Sequence, residues 1–246
     1  MKIAIITGGS RGLGKNAALH TAKKGIGIII TYNSQQDEAD SVVAEIEKNG
    51  GSAVAMKLDA LKSSTFSDFA DQVKTVLKEK WNLEKFDYLV NNAGFGLHAL
   101  FHETTEEQFD DMVNVHLKAP YFLTQKLLPL IADNGHILNV SSGLTRFSFP
   151  GSSAYASVKG GVEVLTRYLA KELGSRGISV NTVAPGAIET DFSGGMVRDN
   201  AEMNKTIASM TALGRVGLPD DIGPLIGSLL SEDSKWVNGQ RIEASG

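Results

Sequence analysis

The chain has 246 residues, 42% hydrophobic and 21% charged, with 24 Lys and Arg against 28 Asp and Glu, a formal net charge of −4, and no cysteine. That length and composition fit a folded chain of one large α/β domain or two small ones, and they exclude disorder as the default. The lack of cysteine removes disulfides, thiol nucleophiles, iron–sulfur ligation and thiolate zinc sites, and the acidic balance speaks against a domain-wide nucleic-acid footprint.

From the N-terminus, Ile3 to Ile6 is a short apolar run cut off by Thr7-Gly8-Gly9. It is too short for a secretory segment, and no stretch approaches the ~20 apolar residues of a membrane span, so neither membrane insertion nor export is expected and the expected location is the cytoplasm. The run reads as a buried parallel strand. A Gly-rich turn follows, then a helix over 15–24. Residues 26–31 read as the second strand, with Ile28, Ile29 and Ile30 in a row. A helix over 35–48 carries Ala39, Val42, Val43 and Ile46 at helical spacing. A third strand over 52–58 and a helix over 65–80 come next, then a strand at Tyr88-Leu89-Val90 stopped by Asn91-Asn92-Ala93-Gly94. Two helices are predicted over 106–117 and 120–131, the second started by Pro120. A fifth strand spans 136–140, a long helix 153–173, and a sixth strand 178–183 before Pro185-Gly186. Residues 187–211 read as irregular, the kind of segment that serves as a lid or binding loop. A last helix over 219–230 and a strand over 240–244 close the chain. The repeated strand–helix units predict a single Rossmann-type, doubly wound parallel sheet with helices on both faces, forming one domain over residues 1–246.

Thr7-Gly8-Gly9-Ser10-Arg11-Gly12-Leu13-Gly14 lies between the first strand and the first helix. Glycines there allow a tight turn and a close backbone approach, and the helix N-terminus offers free N–H groups to phosphate. The spacing is G-x-x-x-G-x-G, and no Walker Gly-Lys-Ser/Thr follows. The position points to a dinucleotide. An acidic residue at the end of the second strand would bind the ribose hydroxyl of NAD. That stretch reads Thr31-Tyr32-Asn33-Ser34, with no carboxylate before Asp37. With Arg11 in the turn, NADP(H) is preferred, and NAD(H) stays open.

Tyr155 and Lys159 stand four apart on the long helix, on one face. A nearby ammonium is expected to lower the phenol pKa, which makes Tyr155 a candidate general acid/base. Ser142, just past the fifth strand, lies where strand ends open onto a ligand crevice.

Taken together, Thr7-Gly8-x-x-x-Gly12-x-Gly14, Asn91-Asn92-Ala93-Gly94, Asn114, Ser142, Tyr155-x-x-x-Lys159 and Pro185-Gly186 give a sequence that resembles the short-chain dehydrogenase/reductase family along nearly the whole chain. The resemblance implies hydride exchange between a nicotinamide and a carbonyl/alcohol pair. Tyr155 would pass the proton, Lys159 would bind the nicotinamide ribose and depress the Tyr155 pKa, Ser142 would fix the substrate oxygen, and Asn114 would hold a water that relays protons from Lys159. It also implies cofactor contacts from Gly8, Ser10, Arg11, Gly12, Leu13 and Gly14, with Asn33 and Ser34 beside Tyr32 holding a 2′-phosphate. Asp59 would meet the adenine, and Asn91, Ala93 and Gly94 would line the adenosine side. Pro185 and Gly186 would precede Ile188 and Thr190 at the carboxamide.

The resemblance, through the family's spacing to the tyrosine, implies Ser142 rather than Ser141. His98 and His102 are four apart, but no third ligand is evident and no metal is expected. His116 and His136 read as packing or surface residues. Phe95, Leu97, Phe147, Phe149 and Met196 are candidates to line an apolar substrate pocket. The substrate expected is a small carbonyl or alcohol, with no nucleic-acid or membrane partner and a homotetramer as the family's usual assembly. A 3-oxoacyl-[acyl-carrier protein] reductase is the alternative, half supported: Ile131-Ala132-Asp133-Asn134 carries no base, whereas Arg176 matches a basic docking position. A dehalogenase-type lyase is disfavoured by Lys159 and the intact turn. A catalytically silent dinucleotide sensor is the remaining rival.

Overall fold

The structure, a computed structural model, describes residues 1–246. The first half runs β1 (Ile3–Ile6), α1 (Gly12–Ala22), β2 (Gly27–Tyr32), α2 (Gln36–Lys48), β3 (Ala53–Lys57), α3 (Phe66–Trp81) and β4 (Phe86–Asn91). Next come α4 (Glu106–Val113), α5 (Ala119–Leu127), β5 (Ile131–Val140), α6 (Ser153–Glu172) and β6 (Ser179–Pro185). The chain closes with α7 (Met196–Asp199), α8 (Ala201–Met210), α9 (Pro219–Leu229) and β7 (Arg241–Ala244). The strands form one seven-stranded sheet in the order β3-β2-β1-β4-β5-β6-β7, and every pairing is parallel.

All-parallel strands are covered on both faces, so their residues are apolar without alternation. The side chains still alternate, and the two faces feed separate cores. Ile3, Ile5 and Ile29 pack with Phe66, Phe69, Leu77, Leu123 and Leu127 from α3 and α5. Ala4, Ile6, Ile28 and Ile30 pack with Ala17, Ala18, Val42, Ile222 and Ile226 from α1, α2 and α9.

Three elements differ from expectation. No break precedes Pro120: α4 runs through a π turn, Asn114–Lys118, directly into α5. The Ala119 N–H donates back five residues to the Asn114 carbonyl. Pro120, which has no N–H to offer, falls where the ladder changes step, so it interrupts nothing. Strand β5 begins at Ile131 rather than 136, because Ile131 pairs with Phe86 before a register shift. The 187–211 segment is largely helical, holding α7, α8 and a 3₁₀ turn at Phe192–Gly195. Its helices are too short for their period to show in sequence. No helix is long and apolar enough to cross a membrane.

Strand order reverses at β1, where β2 lies on one side and β4 on the other. Crevices form at such points, outside the carboxyl ends of the strands. Thr7 holds this one together. Its hydroxyl accepts the N–H groups of Asn92 (2.9 Å) and Ala93 (3.0 Å) and donates to the Val90 carbonyl (3.2 Å). Thr7→Val keeps the shape but orphans two amides, a loss on the order of 3 kcal/mol. Urea denaturation should show the midpoint falling accordingly, and an unchanged midpoint would mean that these bonds contribute nothing net.

Candidate active site

The glycine turn is shaped by close approach. Gly8 and Gly12 have φ of 64° and 54°, the left-handed region. A methyl on Gly14 would lie 2.1 Å from the Gly8 carbonyl oxygen and 2.6 Å from Asn92 Nδ2. Asn92 braces the same turn, its amide donating to the Thr7 (2.9 Å) and Gly8 (3.2 Å) carbonyls. Helix α1 begins at Gly12 with no side chain capping it and no acidic residue in its first turn. Ser10 and Leu13 lie within this turn. The result is a narrow backbone cradle facing an open, uncapped helix N-terminus, which fits a pyrophosphate. At the neighbouring end of β2, Tyr32 is half-buried and Arg11, Asn33 and Ser34 are exposed. This donor set, without a carboxylate, fits a 2′-phosphate better than a bare ribose hydroxyl.

The flanking expected residues divide into lining and bracing. The Asn91 side chain points into the fold, donating to Asn139 (2.8 Å) and Thr124 (3.1 Å). Asp59 accepts the Leu61 N–H at 3.0 Å and pairs with Lys62 at 3.3 Å, so its carboxylate closes its own turn. Ala93 is held by Thr7, and Gly94 leaves room for the His116 ring, which a methyl would meet at 2.3 Å. After Pro185, the Gly186 N–H bonds the Ala244 carbonyl at 3.0 Å. Ile188 bridges Gly217, and Thr190 lies over Gly12.

Ser142 stands at the carboxyl end of β5, and Tyr155 and Lys159 face it from α6. All three are buried: 9%, 8% and 5% exposed. Ser141 gives its hydroxyl to Glu163 at 2.7 Å. The Ser142 Oγ accepts the Leu144 N–H at 3.2 Å, and its hydroxyl is hydrogen-bonded to the Tyr155 phenol. Lys159 Nζ donates to the Val140 carbonyl at 2.7 Å and lies 5.6 Å from the centre of the Tyr155 ring. Burial pushes the Tyr155 phenol above its ordinary value, opposed by the Ser142 hydroxyl. Burial alone pushes the Lys159 ammonium down to about 7. The expected depression of Tyr155 by Lys159 is therefore not what this arrangement gives. Desolvation dominates, and the ammonium is bonded to a carbonyl rather than to the phenol.

Asn114 opens the π turn, and its side chain makes no hydrogen bond to Tyr155 or Lys159; its carbonyl is held by Ala119. The residue that reaches Tyr155 is His116, two positions on. Its ring meets Tyr155 edge-on, 5.1 Å between centroids at 88°. Nε2 lies 2.7 Å from the Phe95 carbonyl, so Nε2 carries the proton. Nδ1 is buried without a partner. Burial, then the Lys159 charge, hold His116 well below its ordinary pKa, hence neutral. In sequence it reads as packing, since it falls four residues after the buried Met112. Phe192 lies 5.8 Å from Tyr155 and Phe95 5.9 Å from His116, so rings line the approach. Leu97 packs with Met112 and Tyr155, whereas Phe147 and Phe149 are exposed and Met196 is half-buried. His136 is buried in the middle of β5 against Ser179. His98 packs on Gly151, His102 is exposed, and no metal-ligating cluster joins them.

A family model described as enoyl-(acyl carrier protein) reductase matches residues 8–246. The chain is 35% identical over 257 residues to a hydroxynaphthalene reductase-like protein, Arp2, of Metarhizium brunneum, covering 100% of this chain and 94% of that one. It is 34% identical over 248 residues to the 3-oxoacyl-[acyl-carrier-protein] reductase FabG of Staphylococcus aureus, covering 100% and 97%. Among solved structures, the angucycline C-6 ketoreductase LanV with bound NADP matches with a TM-score of 0.95 and 36% identity, covering 100% of this chain and 94% of that one.

The buried lysine has a consequence for stability. With a folded pKa near 7 against 10.5 for an ordinary lysine, the unfolded chain binds more protons between those values. Stability from this group therefore rises with pH through that window, by up to a few kcal/mol, about 1.4 kcal/mol for each tenfold difference in proton affinity. From pH 7 to 9.5 the melting temperature should climb more steeply in the native chain than in Lys159→Met. Parallel curves would show that the ammonium is not desolvated.

Proposed function

The chain belongs to the short-chain dehydrogenase/reductase family of oxidoreductases, and from that footing we propose that it is an NADP(H)-dependent reductase of free ketones, with Tyr155 as general acid. The observation that carries this reading is the meeting of buried Ser142, Tyr155 and Lys159 at the carboxyl end of β5, with Ser142 bonded to the phenol and Lys159 5.6 Å from its ring.

Bound NADPH would supply the hydride. The amides of the glycine turn would hold the pyrophosphate, with Arg11, Asn33 and Ser34 at the 2′-phosphate and Asp59, Asn91, Ala93 and Gly94 around the adenosine. Pro185, Gly186, Ile188 and Thr190 would border the nicotinamide. Ser142, hydrogen-bonded to Tyr155, would turn its hydroxyl to the substrate oxygen and fix it against Tyr155, an orientation and charge-stabilising role. A phenol raised by burial is fully protonated at neutral pH. It would give that proton to the substrate oxygen as hydride arrives and the oxygen takes on alkoxide charge. Lys159 would bind ribose hydroxyls and, when charged, stabilise the phenolate left behind. Asn114 would support a water on the path by which Lys159 and Tyr155 recover protons.

The substrate class proposed rests on the rings around Tyr155. Phe95, His116, Tyr155 and Phe192 present flat faces and edges that suit an aromatic ketone. The names of Arp2 and LanV point the same way. The carrier-protein reading draws on the FabG likeness. Against it, Arg176 is already engaged by Asp133 (2.8 Å) and by the Leu128 and Ile131 carbonyls. The chain is read as one unit with residues 187–211 covering the substrate. A homotetramer is supported by exposed Phe109, Tyr121 and Phe122 on α4 and α5 and by Tyr168 on α6.

The test is nicotinamide oxidation across 3-ketoesters, diketones, sugars, steroids, 2-tetralone and an acetoacetyl thioester. NADPH should outpace NADH, and 2-tetralone should outpace the thioester. Tyr155→Phe should lose at least about 100-fold in kcat with NADPH affinity unchanged. Faster NADH turnover overturns the cofactor assignment. Tight NADPH binding with no turnover anywhere favours the silent sensor.

A further inference from the structure

Beside the Ser142 loop sits a charged cluster that the reaction outlined above does not use. Glu163 lies on α6, one turn past Lys159 and two past Tyr155, with its side chain 14% exposed. Its Oε1 receives the Ser141 hydroxyl (2.7 Å) and Arg241 Nε (2.7 Å). Arg241 comes from the edge strand β7, and its side chain is 12% exposed. Its Nη2 donates to the Ser142 carbonyl (3.1 Å) and to the Thr145 hydroxyl (3.0 Å). Thr145 has one proton to give, and both the Glu163 carboxylate (2.8 Å) and the Ser142 carbonyl (3.0 Å) are in reach. Glu243 takes the other arm of Arg241 and also pairs with Arg146 at 3.1 Å, so two anions balance two cations.

An exposed ion pair would count for little. This one is largely out of water and geometrically rigid, because a guanidinium fork donates to several acceptors at once. Stability does not explain such an arrangement, since a well-packed apolar pair serves a core equally well. What it does locally is grip the backbone of Ser142 itself and the hydroxyl of the residue before it. The backbone of Ser142 is thereby held extended (φ −159°, ψ 149°), and its Oγ is turned to accept the Leu144 N–H.

We infer that Glu163 and Arg241 are positioning residues for ketone reduction. They tie α6 and β7 to the Ser142 backbone, so that the hydroxyl of Ser142 and the phenol of Tyr155 converge on one substrate oxygen. This rests on the reading of Ser142 as the group that meets that oxygen.

A double-mutant cycle tests it, using NADPH and 2-tetralone, or the faster ketone of the panel if another exceeds it. Glu163→Gln should lower kcat by about tenfold with KM for NADPH within about twofold. In a Ser142→Ala background the same change should cost less than about twofold, because the group it acts through is gone. Equal fold-losses in both backgrounds would overturn the positioning role and leave Ser142 intact. No loss in Ser142→Ala alone would overturn the reading of Ser142 and this inference with it. If Glu163→Gln does not fold, Arg241→Lys enters the same cycle, keeping the charge and losing the fork, with the same outcomes deciding.

Discussion

Everything at the mouth of the sheet depends on how closely the ends of β1 and β4 approach. One hydroxyl, Thr7 Oγ1, closes that gap by accepting two amides of the following loop. The approach leaves no space for side chains, which is why a methyl added to Gly14 would sit 2.1 Å from the Gly8 carbonyl. A crowded turn of this kind exposes backbone rather than side chain. Its N–H groups, together with the start of α1, present a polarity that suits an anion. The backbone cradle is therefore a by-product of tight packing at this turn.

The candidate catalytic groups follow a different logic. Ser142, Tyr155 and Lys159 are polar side chains in the interior. Burial disfavours charge, so the phenol keeps its proton and the ammonium half releases its own near neutrality. His116 shares the same dry space and is neutral for the same reason. The phenol and the imidazole are thus uncharged, and the ammonium gives up its proton readily. A charge that develops during reaction is then felt strongly, because little water is present to screen it.

Much of this is legible in the sequence. The parallel sheet can be read from apolar runs such as Ile28–Ile30, whose neighbours on both faces are helices. The glycine turn and the Tyr155–Lys159 pair are legible because both are local, set by spacings of two and four residues. What escapes detection is long-range or contradictory. Pro120 is a signal for a helix start, yet it stands inside a continuous helical run, because a π turn removes the need for its missing donor. His116 has the spacing of a core residue and the chemistry of a site residue, and spacing alone cannot separate them. Arg241 and Glu163 are far apart along the chain, and polar pairing across such a distance leaves no local pattern. The 187–211 segment hides its helices behind Ser193, Gly194 and Gly195, three left-handed residues in succession.

The π turn at Asn114–Lys118 amounts to one residue more than a regular helix would use between α4 and α5. Each helical residue advances the face by about 100°. With a regular ladder, the side of α5 that carries Leu123 and Leu127 into the core beside α3 would be swung by that angle relative to the side of α4 that carries Met112 toward Tyr155. The extra residue lets the two halves of one helix obey two different partners. Here the chain length itself is under an uneven constraint: removing one residue within these five positions would turn the bulge into a regular ladder and leave both faces where they are, whereas adding one more would swing them apart by about 100°.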